Sequence, residues 1–425
     1  MGGGLLQLVA YGAQDIYLTG NPEITYFKTV YRKHTNFAIE SIEQHFDGTA
    51  DFGKKVTVSV SRNGDLIGRT YIKADLPSIQ TDGVSGFSWT EELGHFLVKS
   101  IEIEIGGQII DKHYGTWLSI WSSLTLDRNH ETGYNRMIGN IGLLAGNNLV
   151  AAVPANTLTP IKTIYVPLQF WFNKNPALAL PLIALQYHEV KFHIEFETFE
   201  NLKSNEFSSG TITPVNPSLT NVSMWIDYIY LDTEERRRFA QNSHEYLIEQ
   251  VQFSENISLL GKDMSIYLDF NHPVKEMVWV IQSNETTTGG TTKLGIGNNY
   301  TDNSGSGNVH TNVNVADNPV QSSKLLLNGH ERFSVRDGLY FNNVQPYQHH
   351  TSIPPVGINV YSFALRPEDH QPSGTLNLSR IDNAVLQINL SPAAVAHTDN
   401  IVKIFVVNYN VLRIMSGLSG MAFSN

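Results

Sequence analysis

The segment that decides the fold class is YHEVKFHIEFE, which occupies residues 187–197. Apolar and polar side chains alternate along it, so that every second position from Val190 to Phe196 is apolar. Because successive side chains of a β-strand point to opposite faces, this alternation predicts a half-buried strand of an antiparallel sheet. The segment IEIEI at residues 101–105 repeats the pattern and ends at the turn signal Gly106-Gly107.

Similar alternation recurs along the whole chain, whereas helical periodicity is scarce. Further strands are predicted at residues 55–60, 224–231, 246–253, 264–270, 384–390 and 402–408. Apolar residues from Tyr114 to Leu124 follow helical spacing and predict one short amphipathic helix. A second helix is predicted over residues 233–241, with Asp232 as its N-cap, while residues 5–18 fit either a helix or an extended arm. Many short strands with few helices indicate an all-β sandwich or barrel.

The two halves of the chain resemble each other weakly. IEIGGQ at residues 103–108 is similar to LLLNGH at residues 325–330, and residues 165–168 are similar to residues 361–365. The spacing between the copies is about half the chain length, which predicts a duplicated domain with its boundary around residues 232–244.

Composition excludes several classes of protein. The 425 residues carry 29 Lys and Arg against 40 Asp and Glu, a net charge of −11, which disfavours binding to nucleic-acid phosphates. The absence of cysteine excludes disulfides, cysteine-ligated metals and a cysteine nucleophile. The longest apolar run, residues 177–185, is too short to span a bilayer, so we expect a soluble, cytosolic protein. The low charged fraction of 16% indicates a surface partly covered in an assembly.

The motifs that carry chemistry are incomplete. GTADFGKK at residues 48–55 approaches a phosphate-binding loop, but Lys55 replaces the hydroxyl residue and the next segment reads as a strand. Fifteen histidines show no metal-binding spacing, since His188 and His193 would point to opposite faces of a strand. Glu102 and Glu104 are interpreted as solvated outward residues rather than paired catalytic carboxylates.

The remaining candidates are a basic triplet and the glycosylation sequons. Arg236-Arg237-Arg238 follows Glu234 and Glu235, so we expect local ion pairs on the helix rather than contact with nucleic acid. Six N-x-S/T sequons occur, and Asn284 and Asn299 are the candidate glycosylation sites because they lie in the long polar segment 283–319. No catalytic, cofactor-binding or metal-binding residues are predicted.

Longer strings of sequence carry a resemblance to a known family. LVAYGAQDIYLTGNP at residues 8–22, FKTVYR at residues 27–32 and TNF at residues 35–37 closely resemble the N-terminus of the major capsid proteins of nucleocytoplasmic large DNA viruses, most nearly the algal, chlorella-virus-like branch. Similar strings recur at residues 61–66, 104–108, 111–114, 177–190, 225–250, 361–365, 371–375, 379–383 and 408–417. The resemblance therefore extends over nearly the whole chain.

The resemblance implies a double jelly roll, which consists of two tandem eight-stranded antiparallel β-sandwiches with a few short helices. The implied domains are an N-terminal arm at residues 1–24, a first jelly roll at 25–232, a linker helix at 233–243 and a second jelly roll at 244–425. Segment 283–319 would face outward, and the arm would face inward.

The resemblance also implies a structural protein without enzymatic activity or cofactors. Family members form homotrimers, which act as pseudo-hexameric capsomers and tile an icosahedral shell over an internal membrane. The implied partners are neighbouring capsomers and minor capsid or penton proteins. The implied location is the outer shell of the virion, after synthesis in the host cytoplasm.

Two other interpretations remain open on the residues. A jelly-roll carbohydrate-binding surface protein for host attachment could use the aromatic residues, 10% of the chain, as stacking platforms. A cupin-type metalloenzyme is disfavoured because the H-x-H spacing does not occur.

Overall fold

The computed structural model describes residues 2–81, 87–140, 159, 161–204, 212–254, 256–259, 261–283, 300, 317–396 and 400–423. It divides into two compact units, Met1–Phe37 and Ala38–Asn425. The first unit contains two short helices, α1 (Gly3–Val9) and α2 (Ile16–Thr19), so residues 5–9 and 16–18 of the ambiguous segment are helical and residues 10–15 are not. In the turn between the two helices, the Asp15 side chain accepts a hydrogen bond from the Gly12 amide at 2.7 Å.

The second unit contains two β-sandwiches, each built from a pair of antiparallel sheets with four main strands apiece, and short strands enlarge one sheet of the first pair to five strands and one sheet of the second pair to seven. The strands of the first sandwich are β1 (Phe37–Gln44), β2 (Lys55–Ser59), β3 (Leu66–Leu76), β4 (Val98–Ile105), β5 (Gln108–Tyr114), β6 (Lys162–Pro167), β7 (Val190–Phe196) and β8 (Thr220–Leu231). The strands of the second sandwich are β9 (His244–Phe253), β10 (Asp263–Tyr267), β11 (Pro273–Ser283), β12 (Val320–Leu327), β13 (His330–Asp337), β14 (Asn359–Ser362), β15 (Ala384–Leu390) and β16 (Asn400–Met415).

The strand orders of the two sandwiches are identical. The sheets of the first are β1-β8-β3-β6 and β2-β7-β4-β5, and those of the second are β9-β16-β11-β14 and β10-β15-β12-β13. The hairpins whose sequences resemble each other occupy equivalent places, with Gly106-Gly107 between β4 and β5 and Asn328-Gly329 between β12 and β13. All four of these turn residues have positive φ, which favours Gly and Asn there. The predicted duplication is confirmed.

The predicted strands are all present, with shifted ends. β7 alternates between buried and half-buried positions along its whole length, and β15 has the predicted bounds. β8 begins four residues before the predicted start, and β16 extends to Met415 because β9 and β11 pair with it on its two sides. β10 ends at Tyr267, before the predicted end at Phe270.

Helices and shorter strands connect the main strands. The helices of this unit are α3 (Leu93–Leu97), α4 (Gly115–Thr125), α5 (Arg128–Met137), α6 (Trp171–Lys174), α7 (Phe199–Leu202), α8 (Thr233–Gln241), α9 (Gln345–His349) and α10 (Pro392–Ala396), with 3-10 turns at Pro176–Leu178 and Leu378–Arg380 and a π-helical turn at Tyr340–Val344. The short strands are Gln80–Thr81, Ser88–Trp89, Leu180–Pro181, Lys203–Ser204, Ile212–Thr213, Ile257–Leu259, Leu376–Asn377 and Leu418–Met421. Both predicted helices are confirmed, as α4 and α8, and the Asp232 carboxylate accepts from the Thr233 amide at 2.7 Å.

Three apolar clusters form the interior of the described residues. One fills the first sandwich and also takes in Ile248, Leu412 and Ile414 of the second, and another fills the second sandwich. The third lies between the sandwiches, where one face of α4 packs against the outer face of the β9-β16-β11-β14 sheet. This third cluster joins the two sandwiches.

Candidate functional site: the joint between the two sandwiches

The joint begins where edge strand β5 of the first sandwich runs beside edge strand β9 of the second. The Val251 amide donates to the Asp111 carboxylate at 3.0 Å, and the Gln250 side-chain amide donates to the Ile110 carbonyl. The rings of Tyr114 and Phe253 lie 4.7 Å apart between their centroids. Hydrogen bonds that would face water on an isolated edge strand are therefore used to fix one sandwich against the other.

Helix α4 contributes the apolar part of the joint. Trp117, Trp121 and Leu124 lie on the face that packs on the second sandwich, while Leu118 points into the first core. The receiving surface includes Phe405, whose ring centroid is 5.5 Å from that of Trp117. Side chains of α4 therefore pack into two apolar cores, the first core and the one between the sandwiches. This accounts for the burial of almost the whole helix.

A cluster of charges lies under this helix. The Glu249 carboxylate contacts the Lys275 ammonium at 2.5 Å and the Lys174 ammonium at 3.4 Å. Burial works to raise the pKa of Glu249, but the two ammonium groups outweigh it and hold the pKa below its usual value. The Lys174 ammonium also sits 3.9 Å from the centroid of the Trp121 ring. Because Lys174 belongs to α6 and Glu249 to β9, this cluster crosses the joint.

A second cluster supports the same sheet. The fully buried His350 side chain contacts Glu276 through Nε2 at 3.1 Å and Glu368 through Nδ1 at 3.0 Å. Burial alone would lower the pKa of His350, but the two carboxylates overcome it and raise the pKa to about 9. The imidazolium therefore ties the segment after α9 to β11 and to the loop that contains Glu368.

Sequence reasoning missed both clusters. The signal available was the dipeptide Lys275-Glu276 in the otherwise apolar run of β11, where both charged side chains are fully buried. Their partners come from α6, β9 and the segment after α9, and no sequence spacing links those positions.

The structure corrects the interpretation of Glu102 and Glu104 as solvated residues. Glu102 is only 9% exposed and contacts Lys112 at 2.7 Å, while Glu104 contacts His193 at 2.8 Å. Both carboxylates point away from the isoleucine face as expected, but side chains of the neighbouring strands β5 and β7 contact them. Glu102 forms a cross-strand ion pair with Lys112, and Glu104 forms a cross-strand hydrogen bond with His193.

The other sequence motifs are placed as follows. The segment after residues 48–54 is strand β2, as predicted, rather than the helix that a phosphate loop needs. Arg237 pairs locally with Glu234 at 3.7 Å, as expected, but Arg236 instead reaches Asp65 in the first sandwich at 3.0 Å. The candidate glycosylation sites Asn284 and Asn299 lie outside the described residues.

The joint has the chemistry of a rigid connection. Each carboxylate of the two clusters is matched by a cation, and within the described part of the chain no group of three or more His, Asp or Glu side chains could hold a metal ion. Among the same residues, no helix is both long and apolar enough to cross a membrane. The geometry fixes the orientation of two similar sandwiches.

Comparison with known proteins identifies the family. A family model described as the major capsid protein N-terminus matches residues 25–232, and one described as the large eukaryotic DNA virus major capsid protein matches residues 235–420. The major capsid protein of Pyramimonas orientalis virus is 50% identical over 448 aligned residues, and that of Paramecium bursaria Chlorella virus 1 is 43% identical over 460. In both cases the alignment covers all of this chain and all of the relative.

Solved structures agree with the sequence relatives. A quasi-atomic model of the PBCV-1 virus capsid matches with a TM-score of 0.76 and 38% identity, over 94% of this chain and 100% of that one. The Faustovirus major capsid protein matches with a TM-score of 0.74 over 95% of this chain and 94% of that one, at 13% identity, which shows the fold alone. The double jelly roll is confirmed, and the relatives support a structural capsid role rather than host attachment. The chain belongs to the family of major capsid proteins of large eukaryotic DNA viruses.

Proposed function

We propose that three copies of this chain assemble into one capsomer, and that these capsomers tile an icosahedral shell. The observation that carries the proposal is the joint, which holds two sandwiches of identical strand order side by side in one chain. Three such chains supply six similar sandwiches, so a threefold ring presents six nearly equivalent edges to its neighbours. The proposed role is structural and involves no catalysis, no cofactor and no direct contact with nucleic acid.

The proposal assigns a task to each part of the chain. Residues 25–232 and 244–425 are the two jelly rolls, and residues 233–243 are the linker helix. Residues 1–24 form an arm on the inner side of the shell, near the internal membrane and the minor capsid or penton proteins. Segment 283–319 faces outward and carries glycans at Asn284 and Asn299. The protein is made in the host cytoplasm before it enters the virion.

The first experiment is the solution mass of the purified protein by light scattering after size exclusion. We expect three times the chain mass of 47.5 kDa, unchanged on dilution. A stable monomer would contradict the capsomer proposal.

Two further measurements test the placement of the arm and the loop. Mass spectrometry of purified virions should find modified peptides from segment 283–319, and unmodified peptides would remove the glycan proposal. Protease applied to intact particles should leave residues 1–24 uncut, and clipping without disruption of the particle would contradict their inner placement.

A further inference from the structure

The joint contains a cavity of about 360 Å³ beside the beginning of α4. Residues of β4, β5 and β7 line it on the side of the first sandwich, and residues of β9 and β16 line it on the side of the second. A cavity of this size can hold a small molecule or ion. The capsomer proposed for this chain gives the cavity no role.

Hydrogen-bond donors line the cavity without acceptors. Ser100 on β4 is only 8% exposed, yet its hydroxyl makes no hydrogen bond to any described residue. The hydroxyl of Thr116, in the first turn of α4, lines the same cavity and is equally unpaired within the described part of the chain. No side chain caps α4, and the first amide groups of a helix have no acceptor within the helix itself. The cavity therefore lacks a group that accepts several hydrogen bonds.

The cavity also holds a cation without a counter-ion. The Lys403 ammonium on β16 donates to the Gln282 side-chain oxygen at 3.0 Å, and it contacts no carboxylate among the described residues. A neutral amide leaves the positive charge uncompensated, which is costly away from water. The missing partner of this ammonium is therefore a negative charge.

The other charged groups of the cavity wall already have partners. Lys99 contacts Glu195 at 2.6 Å, and Lys112 pairs with a carboxylate of the neighbouring strand. The Glu197 carboxylate accepts a hydrogen bond from the Asn201 side-chain amide at 2.9 Å. These contacts leave one ammonium group, the unpaired hydroxyls and the beginning of α4 available to a ligand.

We infer that this cavity binds a small oxyanion, with Lys403 as its counter-ion and the Ser100 hydroxyl and the beginning of α4 as its hydrogen-bond donors. An oxyanion carries negative charge and several acceptor oxygens at once, which is what these groups lack. Because Ser100 belongs to the first sandwich and Lys403 to the second, the bound anion connects the two across the joint. The site is complete within one chain, so the inference does not depend on how copies assemble.

Titration calorimetry with sulfate at pH 8, against chloride at equal ionic strength, tests the site directly. Sulfate is the probe because its own charge does not change near this pH. We expect saturable binding accompanied by proton uptake, because burial lowers the pKa of Lys403 to about 8 and a bound anion favours the charged ammonium. Titrations in two buffers of different ionisation enthalpy measure the uptake. Absence of saturable sulfate binding, or binding without proton uptake, would overturn the inference.

Two variants and a control locate the binding. Lys403→Met should weaken sulfate binding about tenfold or more and abolish the proton uptake, and Ser100→Ala should weaken binding about threefold. The matched control is Lys191→Met, because Lys191 lies on β7 outside the cavity and contacts Glu189 at 3.2 Å. It should keep the sulfate affinity and the proton uptake of wild type. Equal affinity in all of these proteins would overturn the assignment to this cavity.

Thermal unfolding without sulfate separates a binding role from a structural one. Ser100→Ala and Lys403→Met should each be at least as stable as wild type, because each removes a polar group that has no full set of partners. Added sulfate should then raise the melting temperature of wild type and Lys191→Met more than that of Lys403→Met. Variants that are less stable without sulfate, but bind it as tightly as wild type, would show that these residues only support the fold.

Discussion

At the scale of single residues, the joint depends on charged side chains that are buried. Lys275 is fully buried and Glu249 nearly so, and their mutual attraction offsets the cost of removing both from solvent. Removing one partner leaves the other charge buried without compensation, which costs more than the pair itself contributes. Ion pairs on the surface lack this property because water replaces the lost partner.

We therefore expect Glu249→Gln to lower the free energy of unfolding by about 3 kcal/mol. The matched control is Glu245→Gln on the same strand, because the Glu245 contact with Arg413 at 2.9 Å is more than half exposed on both sides. That control should change the free energy of unfolding by less than about 1 kcal/mol. Urea denaturation followed by tryptophan fluorescence measures the free energy of unfolding of both variants. Equal losses in the two variants would show that the buried cluster contributes no more to stability than the exposed ion pair.

The His350 cluster makes stability depend on pH. Its pKa is raised to about 9 in the folded protein, so the imidazolium contributes stability that is fully present below the ordinary pKa of 6.5 and is lost as the pH rises through 9. Burial lowers the pKa of Lys403 to about 8, and that shift acts in the opposite direction at higher pH. Comparison with a variant at position 350 therefore isolates the contribution of the histidine to the pH dependence of stability.

We expect His350→Gln to be less stable than wild type by on the order of 3 kcal/mol near pH 6.5, and this gap to narrow toward pH 10. Thermal unfolding of both proteins across this range measures it. A gap that stays constant with pH would mean that the histidine is held neutral and contributes only packing.

At the scale of elements, local pattern predicted eight of the sixteen main strands, and β7 shows why those could be predicted. Its alternation is complete because one face meets the core and the other carries Lys191, His193 and Glu195, so every position reports its environment. Strand β11 shows no such alternation, because both of its faces are buried. The partners of its charged residues Lys275 and Glu276 are distant in sequence. Burial of Glu102 was missed for the same reason, because it depends on Lys112 of the next strand.

Helix α8 is an element that its own sequence determines. None of its residues is buried, so tertiary packing contributes little and the Asp232 cap at 2.7 Å contributes a larger share. We expect Asp232→Ala to destabilise the helix by about 1 kcal/mol and to speed amide hydrogen exchange across residues 233–241 several-fold. Gln241→Ala at the other end is the control and should leave exchange nearly unchanged. Equal exchange in both variants would show that the Arg236–Asp65 contact, and not the cap, holds the helix.

At the scale of the whole molecule, the chain holds two sandwiches of the same strand order within one compact unit. Identical strand orders mean that each sandwich has its own core and its own exposed edges. The joint converts one such edge into an internal contact, and the third core is the part of the fold that neither sandwich possesses alone. A capsid subunit benefits from this arrangement, because the angle between its two sandwiches fixes the direction of the next contact.

That third core should determine whether the two sandwiches unfold together. We expect wild type to unfold in one calorimetric transition and Trp117→Ala to separate it into two, because the fully buried Trp117 belongs to the third core and contacts Phe405 of the second sandwich. Truncation of a buried tryptophan lowers the free energy of unfolding by about 3–5 kcal/mol, and at Trp117 we expect the loss to weaken the contact between the two sandwiches.

Trp89→Ala is the matched control, since Trp89 is equally buried but packs within the first core against Phe87 and Phe199. It should lower the stability of the first sandwich without uncoupling the second. A single transition in Trp117→Ala would mean that the hydrogen bonds and charges of the joint suffice to hold the sandwiches together.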